Sequence, residues 1–337
     1  MIDFFKQHKI KFAAVVIVTT LLLYQIQIVV GWGFWAHQRI NRMAVFTLPT
    51  PLLDLYKSNI EFISDHAVDP DKRRYVDSTE SPHHFIDIDH YGKYPYTNLP
   101  HYWKDAIAKY SKDTLNKYGV VPWYVQLMMD KLTEAFKEKD KYLILHYSAD
   151  LGHYIADAHV PLHCSSNYNG QLTHQEGIHA FWESRIPELF GDKYNFSVGK
   201  AQYLKSPSSR IWEVVLESAT EVDSVLNIEK QLSKQFPDNK KYVFSTHNNK
   251  KIKNYSEQYA KAYSYRLNGM IERRLRESII DVGSFWYTAW INAGQPDLSQ
   301  LKDDMPAASN QKELMPMDKK RSEGKITGRS EDEEPQY

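Results

Sequence analysis

The chain has almost no cysteine. Cys164 is the single one among 337 residues, so no intramolecular disulfide can form. It directly follows His163, which leaves a thiol ligand and a small buried filler both open as its role. A buried filler is the more common role of a free cysteine.

The chain also has no excess of charge of either sign. Its 42 Lys and Arg residues balance 42 Asp and Glu residues. No global positive field therefore attracts nucleic acid or an anionic membrane. This balance does not exclude a nuclease, because metal ions can supply positive charge inside a cleft.

Strand-like alternation is nearly absent and internal repeats are not found, whereas apolar residues recur at helical spacing along much of the chain. We therefore expect an all-α domain of about eight to ten helices. The predicted helices cover residues 32–47, 52–64, 103–118, 122–139, 141–159, 176–190, 208–234 and 256–293. The polar segments 64–92 and 234–254 are expected to be loops, and a long loop in a compact domain is usually functional.

The two ends of the chain differ from this domain. Residues 12–30 form an apolar run behind a lysine-rich start, which predicts a signal peptide or an uncleaved membrane anchor. Either alternative exports the domain, which would then be periplasmic, secreted or membrane-anchored. The C-terminal residues combine charged runs with little apolar content and predict a disordered tail. The expected division is a segment 1–31, a domain 32–300 and a tail 301–337.

Five candidate metal ligands fall within one stretch of 31 residues. His153 and Asp157 are four residues apart, and His179 and Glu183 repeat this spacing, so each pair projects from one face of a helix. His163 lies just past the expected end of the first helix. One such pair is more often a helix hydrogen bond. Two pairs with a histidine between them favour a metal site, and imidazole and carboxylate ligands suit zinc.

Motifs outside this stretch, taken together with it, resemble those of a known superfamily. The chain resembles the zinc-dependent phospholipases C of bacteria and the related single-strand-specific nucleases of the S-one/P-one type. The motifs are Trp32-Gly-x-x-x-His37, His84-Phe-Ile-Asp87, His153-x-x-x-Asp157 with His163, and His179-x-x-x-Glu183. The resemblance covers most of residues 32–300. It implies an all-α phosphodiesterase with three zinc ions in a cleft.

The resemblance also implies a set of nine ligands. They are Trp32, His37, Asp69, His84, His153, Asp157, His163, His179 and Glu183. Asp69 is included because it precedes His84 by fifteen residues, and Asp65 is the alternative. One zinc would be held by Asp69, His84, His153 and Asp157, a second by His163, His179 and Glu183, and the third by Trp32, His37 and a shared oxygen of Asp157. Trp32 would bind through its free amine and its carbonyl, which requires cleavage after Gly31.

Catalytic roles follow from the same resemblance. A hydroxide between two zinc ions that share Asp157 would attack phosphorus. Asp69 would orient or deprotonate the water. Arg73 or Arg74 would clamp a phosphate oxygen, although Lys72 stands where the nucleases have their arginine.

Features of both branches of this superfamily occur in the chain. The step from Trp32 to His37 resembles the nucleases, whereas the short link between His163 and His179 and the final ligand Glu183 resemble the phospholipases. Phe85 would stack a base in a nuclease or belong to the core.

We expect phospholipid head groups as substrate, with single-stranded nucleic acid as the alternative. No obligate protein partner is evident. The rival of another class is a zinc-containing surface or lipid-binding protein without turnover.

Overall fold

The structure, a computed structural model, describes residues 33–247 and 250–301. The predicted N-terminal segment, Trp32 and residues 302–337 of the predicted tail lie outside the described residues. Among the helices of the described part, none combines the length and the apolar character that crossing a membrane requires.

The predicted all-α fold is confirmed. The helices are α1 (Phe34–Val45), α2 (Leu52–Ser58), α3 (Ile60–Asp65), α4 (Asp69–Arg73), α5 (Trp103–Tyr110), α6 (Lys112–Tyr118), α7 (Val121–Glu138), α8 (Lys141–Ala158), α9 (Ile178–Ala180), α10 (Ile186–Phe190), α11 (Pro207–Gln235), α12 (Asp238–Lys241), α13 (Glu257–Arg266) and α14 (Met270–Asn292). A π-helical turn, Phe181–Arg185, joins α9 to α10. Short 3-10 turns lie at His66–Val68, Ser81–His84, Ile88–Tyr91, Pro161–Cys164, Gly191–Lys193 and Ser299–Leu301.

Helix α8 lies at the centre of the fold. It packs against α1, α7, α11 and α14, and residues 148–158 are all buried. The residues at its start, 141–147, are buried or partly buried, whereas its second half is buried throughout. Trp286 of α14 donates its indole N–H to the carbonyl of Ser148, 3.0 Å away. The histidine and the carboxylate near the end of α8 are therefore surrounded by protein.

Two predicted helices are each divided by a residue with positive φ. Ser111 (φ 65°) separates α5 from α6, and its side chain accepts a hydrogen bond from the first turn of α6. Asn268 and Gly269, with φ of 50° and 76°, separate α13 from α14. Helical spacing of apolar residues continues across both breaks, so periodicity alone does not reveal them.

The prediction that residues 234–254 form a loop is wrong in part. The segment contains α12 and an antiparallel hairpin of β1 (Tyr242–His247) and β2 (Lys250–Tyr255). Val243 and Phe244 lie on opposite faces of β1 and are both exposed. Because neither face of the strand at these positions is buried, the sequence lacks the apolar alternation by which strands are recognised.

Candidate metal centre

The centre is built on His153 and Asp157, one turn apart on α8 and fully buried. Nε2 of His153 lies 3.2 Å from Oδ2 of Asp157. Nδ1 of His153 lies 2.8 Å from the carbonyl oxygen of Ala67. Because a carbonyl only accepts, Nδ1 carries a proton there. In the neutral ring the lone pair is then on Nε2, which faces the cluster, an arrangement common to metal-binding histidines.

Helix α1 adds His37. Its Nε2 lies 3.4 Å from Oδ1 of Asp157, and its ring stacks on that of His153 with centroids 3.8 Å apart. The two helices approach closely at Gly152, where a Cβ atom would collide with the side chain of Asn41. A glycine at this position therefore lets α1 bring His37 up to α8.

The segment between α3 and α5 supplies His84 and Asp71. Nδ1 of His84 lies 2.9 Å from Oδ2 of Asp157 and 3.1 Å from Nε2 of His153. Oδ1 of Asp71 lies 3.8 Å from Nδ1 of His84 and 3.6 Å from Nε2 of His153. Asp157 thus faces His37 with one oxygen and the other two histidines with its second oxygen.

The structure does not place Asp69 in this cluster, contrary to the prediction. Oδ2 of Asp69 lies 2.5 Å from Nδ1 of His66, and Oδ1 lies 3.5 Å from Nζ of Lys72. Asp71 faces the cluster instead, because residues two apart on the turn of α4 project in different directions. The alternative, Asp65, is exposed.

Sequence reasoning missed Asp71 although a local signal was present. His66 precedes Asp69 by three residues, a spacing at which helical side chains meet. This pairing occupies the Asp69 carboxylate and leaves Asp71, thirteen residues before His84, as the carboxylate directed at the centre. The fifteen-residue spacing of the resemblance indicated Asp69 instead, which lies outside the cluster.

A further group consists of His163, His179 and Glu183. Oε2 of Glu183 lies 3.3 Å from Nε2 of His163 and 3.0 Å from Nε2 of His179. Nδ1 of His163 donates to the carbonyl of His84, 2.6 Å away, which joins this group to the first cluster. His179 and Glu183 keep their predicted shared face, and the π-helical turn carries Glu183.

The part of the chain that the structure describes contains three buried groups, and within each group the ligand atoms all lie within 4.8 Å of one another. The groups are His37, His153 and Asp157; Asp71, His84 and His153; and His163, His179 and Glu183. They contain seven of the nine predicted ligands, add Asp71 and omit Asp69. Trp32 lies outside the described residues.

The buried polar atoms of these groups fit a bound cation. Both ring nitrogens of His37 and of His179 make no hydrogen bond of normal geometry with any described residue, nor does Oδ2 of Asp71 or Oε2 of Glu183. A buried polar atom without a partner is costly, and one explanation for such an atom is an ion. Imidazole nitrogens together with carboxylate oxygens are the ligands that zinc takes in catalytic sites.

The pKa values of two side chains in these groups determine the charges that a cation would encounter. Burial lowers the pKa of His153, but the carboxylates of Asp157 and Asp71 outweigh it and raise the value to about 9. Burial raises the pKa of Glu183, but His179 and His163 outweigh it and lower the value to about 2. Glu183 is thus ionised at neutral pH, and His153 holds a proton that a cation would displace.

The structure does not support two of the roles proposed for side chains near the centre. The guanidinium group of Arg73 forms ion pairs with Asp150, at 2.8 Å, and with Glu80, at 3.0 Å. Because these carboxylates bind it, it is not directed at a phosphate. Arg74 is buried at 3% exposure. Phe85 is buried against Gly119 and is not available to stack a base.

Cys164 belongs to the core. It is buried, and burial raises the pKa of its thiol to about 12. A neutral thiol is a poor metal ligand. Cys164 is also absent from the three groups of candidate ligands found in the described residues. The filler role is therefore the one that fits.

No family model and no curated protein sequence matches the chain. Among solved structures, the alpha toxin from Clostridium absonum is similar at 13% identity and a TM-score of 0.46, over 78% of this chain and 65% of that chain. The alpha-toxin of Clostridium perfringens, isolated from avian strain SWCP, is similar at 13% identity and a TM-score of 0.45, with the same coverage. The chain thus spans about 65% of the length of these structures. At this level of likeness, neither structure assigns an activity to the chain.

Proposed function

We propose that the chain is a zinc-dependent phosphoric diester hydrolase of the phospholipase C kind. The observation that carries the proposal is the sharing of ligands between adjoining groups. His153 belongs to two groups, and Asp157 directs one oxygen to His37 and the other to His84 and His153. A closed structural zinc site needs only four ligands. Eight buried donors in adjoining groups favour a multinuclear catalytic centre.

The three groups would each hold one zinc ion, about three per chain. When bound, zinc lowers the pKa of a water molecule so that a nucleophile forms at neutral pH, and it neutralises charge on a leaving oxygen. In this proposal Asp71 takes the ligand role predicted for Asp69, and its second oxygen can hold a proton of the attacking water. Trp32 completes the group of His37 and Asp157 through its free amine and carbonyl.

A phospholipid is the substrate that fits best. Glu183 is the carboxylate that the resemblance assigns to the phospholipases, whereas the nucleases have aspartate there. Burial of Phe85 removes the one aromatic side chain assigned to base stacking. The chain also has no net positive charge to attract a polyanion. A single-strand nuclease of the same superfamily is the second candidate, favoured by the spacing from Trp32 to His37.

Turnover of the two substrates tests the proposal. The protein that begins at Trp32, loaded with zinc, would be offered phosphatidylcholine vesicles and single-stranded DNA separately, each with and without a chelator. We expect diacylglycerol release that the chelator abolishes. Chelator-sensitive nucleotide release would instead identify the nuclease. Matched controls are His153→Ala, which removes a shared ligand, and His146→Ala, which changes a histidine of the same helix outside the three groups.

The rival is a zinc-containing surface or lipid-binding protein without turnover. The number of zinc ions per chain separates the two. About three ions favour the hydrolase, and about one closed site favours the rival. Export also belongs to the proposal: residues 12–30 would act as a signal peptide or, if uncleaved, would attach the enzyme to a membrane.

A further inference from the structure

His84 presents a different ring nitrogen to the centre from its neighbours. His153 and His163 donate Nδ1–H to the carbonyls of Ala67 and His84 and face the ligand groups with Nε2. In His84 it is Nδ1 that lies 2.9 Å from Oδ2 of Asp157. The second nitrogen of this ring therefore points away from the other ligands.

Glu80 lies behind that second nitrogen. Its Oε1 is 3.4 Å from Nε2 of His84, one helical turn further along the chain. Glu80 is only 4% exposed. Nε2 of His84 makes no hydrogen bond of normal geometry with a described residue, whereas Nδ1 lies 2.9 Å from Oδ2 of Asp157. A zinc ion on Nδ1 would leave the ring proton on Nε2, where the Glu80 carboxylate can accept it. The lone pair on Nδ1 then faces the centre.

Glu80 is itself held in place and kept charged. Nε of Arg73 donates to its Oε2 at 3.0 Å, and the hydroxyl of Tyr154 donates to its Oε1. Arg73 is fixed in turn by two hydrogen bonds to Asp150, of 3.2 and 2.8 Å. Burial raises the pKa of Glu80, but Arg73 and the two adjacent histidines outweigh it and hold the pKa well below its usual range.

We propose that Glu80 is a positioning residue that fixes His84 in the Nε2–H tautomer and thereby directs its Nδ1 at a zinc ion. The proposal rests on the proposed zinc centre. Glu80 would touch neither the ion nor the substrate. It would act through the ring, as carboxylates behind metal-binding histidines do, by fixing the tautomer and the orientation and by making the ligand more basic. Arg73, the residue first expected to clamp phosphate, would hold this carboxylate.

Zinc affinity is the first test. The full chain and its Glu80→Gln variant would be titrated with Zn²⁺ against a chromogenic chelator. Glutamine keeps the size of the side chain and removes its charge. We expect the zinc site containing His84 to weaken by about 10- to 100-fold. Tyr154→Phe is the matched control, because it removes a hydrogen bond from the same carboxylate and leaves its charge. We expect the control to bind zinc as the parent does.

The tautomer itself is the second test and does not depend on how well a variant folds. Long-range ¹H–¹⁵N spectra of the zinc-loaded parent distinguish a metal-bound nitrogen from a protonated one. We expect His84 to show a bound Nδ1 and a protonated Nε2. A bound Nε2 in the parent would overturn the proposal, as would a Glu80→Gln variant with parental zinc affinity and an unchanged His84 signal. A parent that binds no zinc would overturn the proposed function itself.

Discussion

Oδ1 of Asp157 lies 3.4 Å from Nε2 of His37. The other oxygen, Oδ2, is turned towards His84 and His153, at 2.9 and 3.2 Å. One carboxylate therefore joins two groups of nitrogen donors that come from three separate segments of the chain. This relationship makes the centre a connected unit, and changes to its members should have unequal effects.

Removing a ligand that two groups share should lower the number of bound zinc ions more than removing a ligand that belongs to one group. His153 belongs to two groups and His179 to one. We expect His153→Ala to lose about two zinc ions per chain together with activity, and His179→Ala to lose about one. Elemental analysis of the two purified variants measures this. Full zinc content and full activity in His153→Ala would contradict the assignment of the site.

The two aspartates of α4 should differ in their effect on zinc. Asp71 faces His84 and His153, whereas Asp69 pairs with His66. We expect Asp71→Asn to weaken zinc binding at least about tenfold, and Asp69→Asn to leave it close to the parent value. Competition with a chelator gives both affinities under the same conditions. The reverse order would restore Asp69 as the ligand.

Zinc binding should release protons. In the metal-free centre the Asp157 and Asp71 carboxylates outweigh burial and raise the pKa of His153 to about 9, so the ring is protonated at neutral pH. Zinc must displace this proton. We therefore expect zinc affinity to rise with pH, by about tenfold per unit for each proton released, and to level off above about pH 9.

Calorimetry in buffers of different ionisation enthalpy counts the protons released at pH 7. His153→Ala should remove one proton from this count. His179→Ala serves as the comparison, because it removes a different ligand and should keep the proton that comes from His153. Zinc binding by the parent without proton release would show that His153 is not a ligand.

The partly buried Arg73 should contribute to stability and not to substrate binding. It forms ion pairs with Asp150 and Glu80, both almost fully buried. We expect Arg73→Met to lower the free energy of unfolding by roughly 3 kcal/mol, because it leaves two buried carboxylates without their partner. Urea unfolding of the metal-free protein measures this. Arg42→Met is the control, because Arg42 pairs with an exposed glutamate at the surface and should change little. A stable Arg73→Met variant with a raised KM would return Arg73 to the phosphate-binding role.

The sequence predicted the helical scaffold and most of the candidate centre because both depend on local spacing. The pairs His153 with Asp157 and His179 with Glu183 keep one face of their helical turns, and four-residue spacing determines that face whatever surrounds the helix. The all-α fold could be predicted for the same reason, because helical spacing of apolar residues is a local pattern. Whether these side chains bind zinc stays a prediction.

Features that depend on contacts distant in sequence could not be predicted. Arg73 meets Asp150, 77 residues away, and no local pattern indicates that partner. Phe85 is buried because it packs against Gly119, whose missing Cβ leaves room for it. The sequence did not predict the hairpin strands in residues 242–255, because Val243 and Phe244 are both exposed and do not place apolar residues on one face of the strand.

Maturation of the chain gives a prediction for Trp32, which lies outside the described residues. Its amine can bind zinc only after cleavage behind Gly31, because an amide nitrogen is a poor ligand. We expect the exported protein to begin at Trp32. Intact-mass analysis of that protein measures this directly. A mass that includes residues 1–31 would remove Trp32 from the ligand set and leave the group of His37 and Asp157 incomplete.

The location of zinc in a crystal of the zinc-loaded protein that begins at Trp32 tests the centre most directly. Anomalous scattering measured on both sides of the zinc absorption edge identifies the ions without assumptions about their ligands. We predict separate zinc peaks at the groups of His37 with Asp157, of His84 with Asp71, and of His163 with Glu183. Zinc bound elsewhere, or at a single one of these groups, would contradict a multinuclear catalytic centre.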